Sequence, residues 1–424
     1  MKILVLNGGS SSQKCRLFEI GRSIPAEPPT PFWEGTIDWG GKKSFAKLDV
    51  RNSRGATFTT PCKVGSHGPA VRAMLEQLWS GPAKAIEDRR EIEIVGHRIV
   101  HGGSEFVEPT HITGRVIRKL RKLGELAPLH NRGEVEGINA VQQLLGKVPQ
   151  IAVFDTAFHH QLPLPAVVYP GPYRWFEQGI RRYGFHGINH RYCGERAAQL
   201  LGKSPAKLRL ISCHLGNGCS LAAIRGRHSV DTTMGFTPLD GLMMGTRPGS
   251  LDPGILTYLI RKHGYSAPAL DVILNQKSGL LGISGISNDM REVLAAKRHG
   301  NARARLAFHI FIHRLRAQIG NMLASLAGLD ALIFTAGIGE NSAEVRTAAC
   351  DAFEFLGMKL DSKRNLRSRP DTDVASAKSK IRVLVIRAQE DWAIARECWK
   401  WQRNRGTRPG KSAQGVESKS KTAR

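Results

Sequence analysis

The chain has no long hydrophobic run. None of its apolar stretches approaches the ~20 residues needed to cross a bilayer, and the first, Ile3 to Leu6, is too short for the core of a secretory signal. A cytoplasmic protein without a membrane partner is expected. Paired cysteines are missing too: the seven, at positions 15, 62, 193, 213, 219, 350 and 398, form no CxxC. That excludes the common zinc and thiol-redox frameworks and predicts reduced thiols. HExxH is absent, and so is GxSxG, the nucleophile elbow of a covalent hydrolase. Neither GxxxxGK[ST] nor GxGxxG occurs, which excludes the Walker A loop and the dinucleotide fingerprint.

Acidic residues are scarce: 36 Asp and Glu face 62 Lys and Arg, a formal charge of +26. Part of the excess lies in the final stretch from Trp401 to Arg424, a Gly, Ser, Lys and Arg sequence without periodicity that reads as a solvated, disordered tail. The rest is dispersed. With no aromatic RNA-binding motif, zinc-finger spacing or basic heptad region, nucleic acid is not expected as a partner.

What the chain does contain is enough apolar residues, 41%, to build more than one core over 424 residues. Short β-rich runs ("KILVL", "IEIVGHRIVH", "IAVFD", "LRLISCHL", "DALIFTAG", "IRVLVI") alternate with helical patterns at 133–145, 188–201 and 302–326. This alternation predicts an α/β protein. Pro25 to Ser66 reads as twisted hairpins. The segments "LVLNGGSSSQKCRLFEI" and "LISCHLGNGCSLAAIRG" share a plan of strand, Gly/Asn/Ser turn and strand, which is either a duplicated fold with two turns facing one cleft or a coincidence of two hairpins.

Several clusters carry chemistry. "NGGSSSQK" offers backbone N–H groups, Ser10, Ser12 and Lys14 to an anion. "GHRIVHGG" sets Arg98 at a strand end, with a planar fork suited to carboxylate or phosphate. In "FDTAFHH", Asp155 ends an apolar strand, either as a magnesium ligand or as a helix N-cap. "RYGFHG" and "SCHLGNG" put His186 and His214 beside glycines, and "MGTRPGSLDPG" is a loop carrying Arg247 and Asp252. "TAGIGEN" predicts a glycine-rich turn running into a helix near Ser342, and "IRVLVIRAQED" ends in Glu390 and Asp391. Arginines, strand-end carboxylates and anion-binding turns without a nucleophile and base point to phosphoryl transfer, which needs positioning and positive charge.

In order along residues 1–398, "NGGSSSQK", "GHRIVHGG", "APLHN", "FDTAFH", "RYGFHG", "HLGNG", "DTTMGFTPLDGLMMGTR", "SGLLGISGISNDMRE" and "AGIGEN" resemble the motifs of the acetate kinase family. The resemblance implies a duplicated ribonuclease H-like fold of the actin, Hsp70 and sugar kinase type, with an interdomain cleft. One domain would span 1–156 plus 390–400, the other 157–389, with 401–424 as the tail. It implies reversible phosphorylation of acetate by ATP through direct in-line transfer, magnesium or manganese as cofactor, and a homodimer. The alternatives are a propionate or other short-chain carboxylate kinase, or a non-catalytic nucleotide-binding homologue.

The roles the resemblance implies are specific. Asn7, Ser10, Ser12 and Lys14 would line the phosphate region, with Asn7, Asp155 and Glu390 at the metal. Arg98 and Arg247 would hold the carboxylate and the phosphoryl group in motion, and His186 would donate to its oxygens, supported by His130 and His214. Asn217, Gly218, Gly337 and Asn341 would contact ATP. Val100, Leu129, Phe185 and Pro238 would form the methyl pocket. Replacing either arginine by alanine is expected to lower kcat with the fold intact. The chain departs from the family pattern at "TRPGS", where Ser250 stands for an aspartate, at "HNR", which brings Arg132 near the acyl pocket, at "AQED", and at Gly8 and Gln13.

Overall fold

The run Lys2–Gly8 (β1) is apolar without alternation, as a strand buried on both faces must be, and it lies inside an eight-stranded sheet. Ile3 and Val5 face one side, Leu4 and Leu6 the other, and all four are buried. The computed structural model describes residues 1–9, 12–39, 45–63, 67–124 and 131–406. The expectations for Ser10, Leu129, His130, the side chain of Arg132 and the tail beyond Gly406 lie outside the described residues.

From β1 the chain folds back antiparallel through β2 (Ser12–Glu19), β3 (Trp33–Asp38), β4 (Phe45–Asn52) and β5 (Thr57–Lys63). The last three are the hairpins expected between Pro25 and Ser66. On the other side of β1 stand β6 (Ile94–Ile99), the short β7 (Thr110–His111) and β8 (Gln150–Phe154), in the sheet order β5-β4-β3-β2-β1-β6-β8-β7. The second sheet uses β9 (Arg209–Leu215), β10 (Cys219–Arg225), β11 (His228–Thr232), β12 (Ala331–Thr335), β13 (Thr372–Asp373) and β14 (Arg382–Val385), in the order β11-β10-β9-β12-β14-β13.

The two sheets repeat one plan. β3-β2-β1-β6-β8 corresponds to β11-β10-β9-β12-β14: two antiparallel pairs, then two parallel strands, then a short antiparallel edge. The two similar hairpins are β1–β2 and β9–β10, so the duplication is real and the chain has the ribonuclease H-like α/β architecture in two related halves. Between the sheets lie the helices Gly187–Leu200 and Glu390–Gly406, in a core that takes Ile3 and Ile94 from one sheet and Leu210 and Ile333 from the other. No helix among the described residues is long and apolar enough to cross a membrane.

Two elements differ from expectation. "AGIGEN" is not a turn: β12 passes straight into a helix, Ala336–Asn341, because the Glu340 carboxylate accepts the N–H of Ala336 at 2.9 Å and so caps its own first turn. The C-terminal helix also runs through residues 401–406 of the expected tail. Its aromatic residues hold it: Trp399 Nε1 donates to the Gly21 carbonyl at 3.2 Å, and Trp401 stacks on His111.

Candidate active site

β6 and β8 end side by side, and this parallel register brings Arg98 to Asp155. Arg98 donates to Asp155 Oδ2 from Nη2 at 2.5 Å and from Nε at 3.1 Å. Its Nη1 reaches the Asn7 side-chain oxygen and the Gly8 carbonyl, both at 3.2 Å, at the end of β1. Asn7 in turn donates to Asp391 at 2.6 Å and Glu390 at 3.2 Å, the first residues of the C-terminal helix. Asp155 is therefore an ion-pair partner through Oδ2. Its second oxygen, Oδ1, is buried without a partner. Burial pushes the Asp155 carboxyl up, against the pull of Arg98. Burial opposes the Arg98 charge as well, but Asp155 and Glu390 outweigh it and hold the guanidinium pKa above its ordinary value.

From the second half come His186, His214 and Arg247. His186 has a left-handed backbone (φ 57°) ahead of the helix Gly187–Leu200, whose first N–H donates to the Asp155 carbonyl at 2.9 Å. The ring of His186 stacks on His214 with centroids 4.0 Å apart. Burial first, then neighbouring His214, Arg98, His190 and Arg247, push the His186 pKa well below its ordinary value, so the imidazole is neutral. Gly218 lies against both groups: a Cβ there would stand 2.8 Å from Arg247 Nη2 and 3.4 Å from His186 Nε2, so only glycine leaves the two donors facing one space. Arg247 is fixed by one bond, Nη1 to the Pro238 carbonyl at 2.8 Å. Ser250 does not touch it. That hydroxyl donates to Asp240 at 2.7 Å and accepts from the N–H of Gly241 at 3.1 Å.

Val100, one step past β6, is buried in a cluster with Phe185, Met234, Leu242 and Met243 of the second half. Pro238 is half-buried, and its carbonyl accepts from Arg247. Glu134, near the start of the helix Asn131–Leu145, accepts the N–H of Val100 at 3.0 Å, and its other oxygen is buried and unpartnered. Burial pushes its carboxyl up to about 8, against the pull of the Val100 N–H and of Arg98. The folded protein thus keeps Glu134 protonated where the unfolded chain has it ionised, and this contribution to stability declines as pH rises from about 4.3 toward 8. Glu134→Gln keeps the acceptor for Val100 without a charge. It should melt with the wild type near pH 5 and increasingly above it up to pH 8; a melting difference independent of pH would refute this account.

The remaining sequence candidates have local partners of their own. Ser12 begins β2, and its carbonyl accepts the Gly9 N–H at 2.8 Å. Lys14 pairs with Asn7 in register, is exposed, and adds to the positive field on Glu390. Asn217 accepts from Asn288 at 3.1 Å, and Asn341 closes on the Gly337 carbonyl at 2.9 Å within the helix that follows β12, beside β9. Gly8 and Gln13 are one change, since a Cβ at Gly8 would lie 2.9 Å from Gln13 Oε1, and the buried Gln13 side chain fills that space. Asp252 caps the helix Pro253–His263 through the Gly254 N–H.

Sequence reasoning gave no role to Asp391, Glu134, Asn189, His190 or Ser220. Asn189 and His190 stand three and four residues after His186, the spacing of one helix face, and that signal was available. Glu134 had none, because its carboxylate meets Val100 only through tertiary packing.

The profile of the acetokinase family matches residues 2–396. The chain is 58% identical over 401 residues to the acetate kinase of Gloeobacter violaceus, covering 94% of this chain and 99% of that protein. It is 55% identical over 399 residues to the acetate kinase of a Cyanothece species, with 94% and 98% coverage. Among solved structures, Porphyromonas gingivalis acetate kinase superposes with a TM-score of 0.85 at 38% identity over 94% of this chain and 99% of that one. A propionate kinase from Francisella tularensis gives a TM-score of 0.85 at 37% identity with the same coverage.

Proposed function

This chain belongs to the acetokinase family, and from that premise we propose that it phosphorylates acetate with ATP, reversibly, giving acetyl phosphate and ADP. The observation that carries the reading is the convergence of Arg98, Arg247 and a neutral His186 on one cleft between the two halves. A carboxylate oxygen of acetate attacks the γ-phosphorus, and a new O–P bond forms as the bond to the bridging oxygen breaks. ADP leaves with that electron pair. Acetate is already ionised at neutral pH, so no general base is required. Arg98 and Arg247 hold the acceptor and the phosphoryl group, and His186 Nε2 donates to the phosphoryl oxygens, so charge in the transition state meets fixed donors. Ser12 and Lys14 would face the phosphates. Asn217, Gly218, Gly337 and Asn341 would carry the rest of the nucleotide, with His214 behind His186.

The residues fit a divalent cation. Asp155 Oδ1 is buried and unpartnered, and Glu390 stands beside it, both hard oxygen donors. These two carboxylates would hold magnesium or manganese, with Asn7 orienting Glu390. The cation would supply positive charge to the ATP phosphates. We assign one domain to 1–156 plus 390–400 and the other to 157–389, a reading that the two separate sheets support. We read the enzyme as cytoplasmic, and as a homodimer because the helix Pro253–His263 has no buried residue and Ile255, Tyr258 and Ile260 lie exposed along it, with Leu251 exposed just before it.

The direct test is incubation with ATP, magnesium and acetate, propionate or butyrate, with acyl phosphate trapped by hydroxylamine. Hydroxamate should form fastest with acetate, and none with any acid would refute the kinase. The acyl pocket makes a second prediction. Val100→Ala removes two buried methyl groups and should shift kcat/KM toward propionate by about tenfold relative to acetate. Unchanged relative preference would mean that Val100 does not touch the acyl chain.

A further inference from the structure

Behind His186 runs a chain of buried hydrogen bonds that the reaction, as derived above, leaves without a role. Ser212 on β9, Ser220 on β10 and His190 on the helix Gly187–Leu200 are each fully buried. Ser212 Oγ lies 3.0 Å from His190 Nδ1, His190 Nε2 lies 2.7 Å from Ser220 Oγ, and Ser220 Oγ lies 2.9 Å from His186 Nδ1. β-sheet register explains the alignment. His214 pairs with Ser220 and Ser212 with Ala222, so all four side chains share the face that the helix covers.

Each hydroxyl has one proton and each neutral imidazole has one, so the chain can be ordered in one direction or the other, or with Ser220 accepting from both rings and its own proton left without a partner. In the first, Ser212 donates to His190 Nδ1, His190 Nε2–H donates to Ser220, and Ser220 donates to His186 Nδ1. Every donor is then used, and the His186 proton is left on Nε2, facing the space it shares with Arg247 across Gly218. In the second, His186 Nδ1–H donates to Ser220 and the series reverses, which leaves the Ser212 hydroxyl proton without an acceptor in a dry core. Among the described residues the Ser212 hydroxyl has no hydrogen-bond partner other than His190. A buried donor without a partner is costly, so the first direction prevails. Burial pushes the His190 pKa well below its ordinary value, as it does for His186, so both rings are neutral as this count requires.

We propose that Ser212, His190 and Ser220 are positioning residues that lock His186 in the Nε2–H tautomer, presenting a donor to the phosphoryl group before substrate arrives. This rests on the assignment of His186 to the phosphoryl oxygens. It adds the reason that a neutral imidazole, which could equally present a lone pair there, presents a proton.

The test reads the tautomer directly. With 15N-labelled histidine in the full-length protein, two-bond proton–nitrogen correlation should show His186 protonated at Nε2 and hydrogen-bonded as an acceptor at Nδ1. Its signals are assigned by their loss in His186→Ala. In Ser220→Ala both tautomers should appear, and kcat should fall about tenfold or more with KM for acetate and ATP within about twofold. His190→Gln, whose amide can still donate to Ser220 and accept from Ser212, should keep kcat within about threefold of the wild type. A wild-type His186 protonated at Nδ1 overturns the proposal without reference to any variant, as does an unchanged tautomer and kcat in Ser220→Ala. Near-normal turnover in His186→Ala would instead overturn the phosphoryl role of His186 and leave the spectrum to judge the relay alone.

Discussion

Arg247→Ala is expected to lower kcat by about 10³-fold or more while the melting temperature stays level or rises slightly. Arg247 is half-buried, no carboxylate among the described residues pairs with it, and among these residues its guanidinium bonds to the Pro238 carbonyl alone. Burial alone pushes its pKa below the ordinary value. Such a cation costs the folded state its desolvation without an ion-pair return. Removing it sacrifices some packing of the aliphatic stem and relieves that cost, so the two terms offset. What is lost is a positive charge already in place where a transferring phosphoryl group concentrates negative charge. Steady-state kinetics and a thermal melt on the same preparation decide the matter. A kcat within tenfold of the wild type, or a melting temperature lower by more than about 5 °C, would contradict it.

The departure at Ser250 gives this prediction its basis. Read from the sequence, the loss of an aspartate near Arg247 left the arginine's orientation undetermined. In the structure Ser250 is committed to Asp240 and Gly241, and the guanidinium turns to Pro238 and toward Gly218. The absence of a neighbouring carboxylate thus leaves Arg247 free for substrate. No reading of the loop could have supplied this, because the partners of Arg247 come from a separate turn.

Much of the fold was legible for a physical reason. β1, β6, β8, β9, β12 and β14 are buried on both faces, so β1, β8, β12 and β14 are nearly continuous apolar runs that tolerate few other readings, and β6 and β9 interrupt theirs with His97, Arg98, Ser212 and His214. The helix Ala302–Leu326 shows its apolar face at three- and four-residue spacing and begins and ends where the pattern does. "AGIGEN" was misread because its glycines suggest a turn, whereas its conformation is set by Glu340, which caps Ala336 and also accepts the N–H of Ala388, 48 residues away. In the site, the groups we assign to the substrate announced themselves as arginine, histidine and carboxylate at strand ends. The groups that orient them, Ser212, Ser220, His190 and Glu134, are ordinary residues made functional by register and packing, and they become visible only when the strands and helix are set against each other.

The two arginines looked equivalent in sequence, each expected to be replaceable without harm to the fold. The geometry separates them. Arg98 is the cation paired with Asp155 and lies near Glu390, whereas Asp391 pairs with Arg16 at 3.1 Å; Arg98 also ties Asn7 and the Gly8 carbonyl to β6. Arg98→Ala should therefore lower kcat by about 10³-fold or more and also destabilise the fold by about 3–5 kcal/mol, the cost of stranding a buried carboxylate. Asp155 would then lose the ion pair on Oδ2, while Oδ1 has no hydrogen-bond partner even with Arg98 in place. Adding Asp155→Asn to the same chain removes the stranded charge and should recover most of the lost stability, while turnover stays at the level of the single variant or below. In a double-mutant cycle the coupling in stability would be large and the recovery in kcat absent. If Arg98→Ala melts with the wild type, the ion pair carries no weight in the fold. If the double variant regains activity along with stability, Arg98 serves only to neutralise Asp155 and does not act on the substrate. Recovered stability without recovered turnover would mean that Arg98 does both: it holds the first half of the cleft together and presents the same guanidinium to the acyl group.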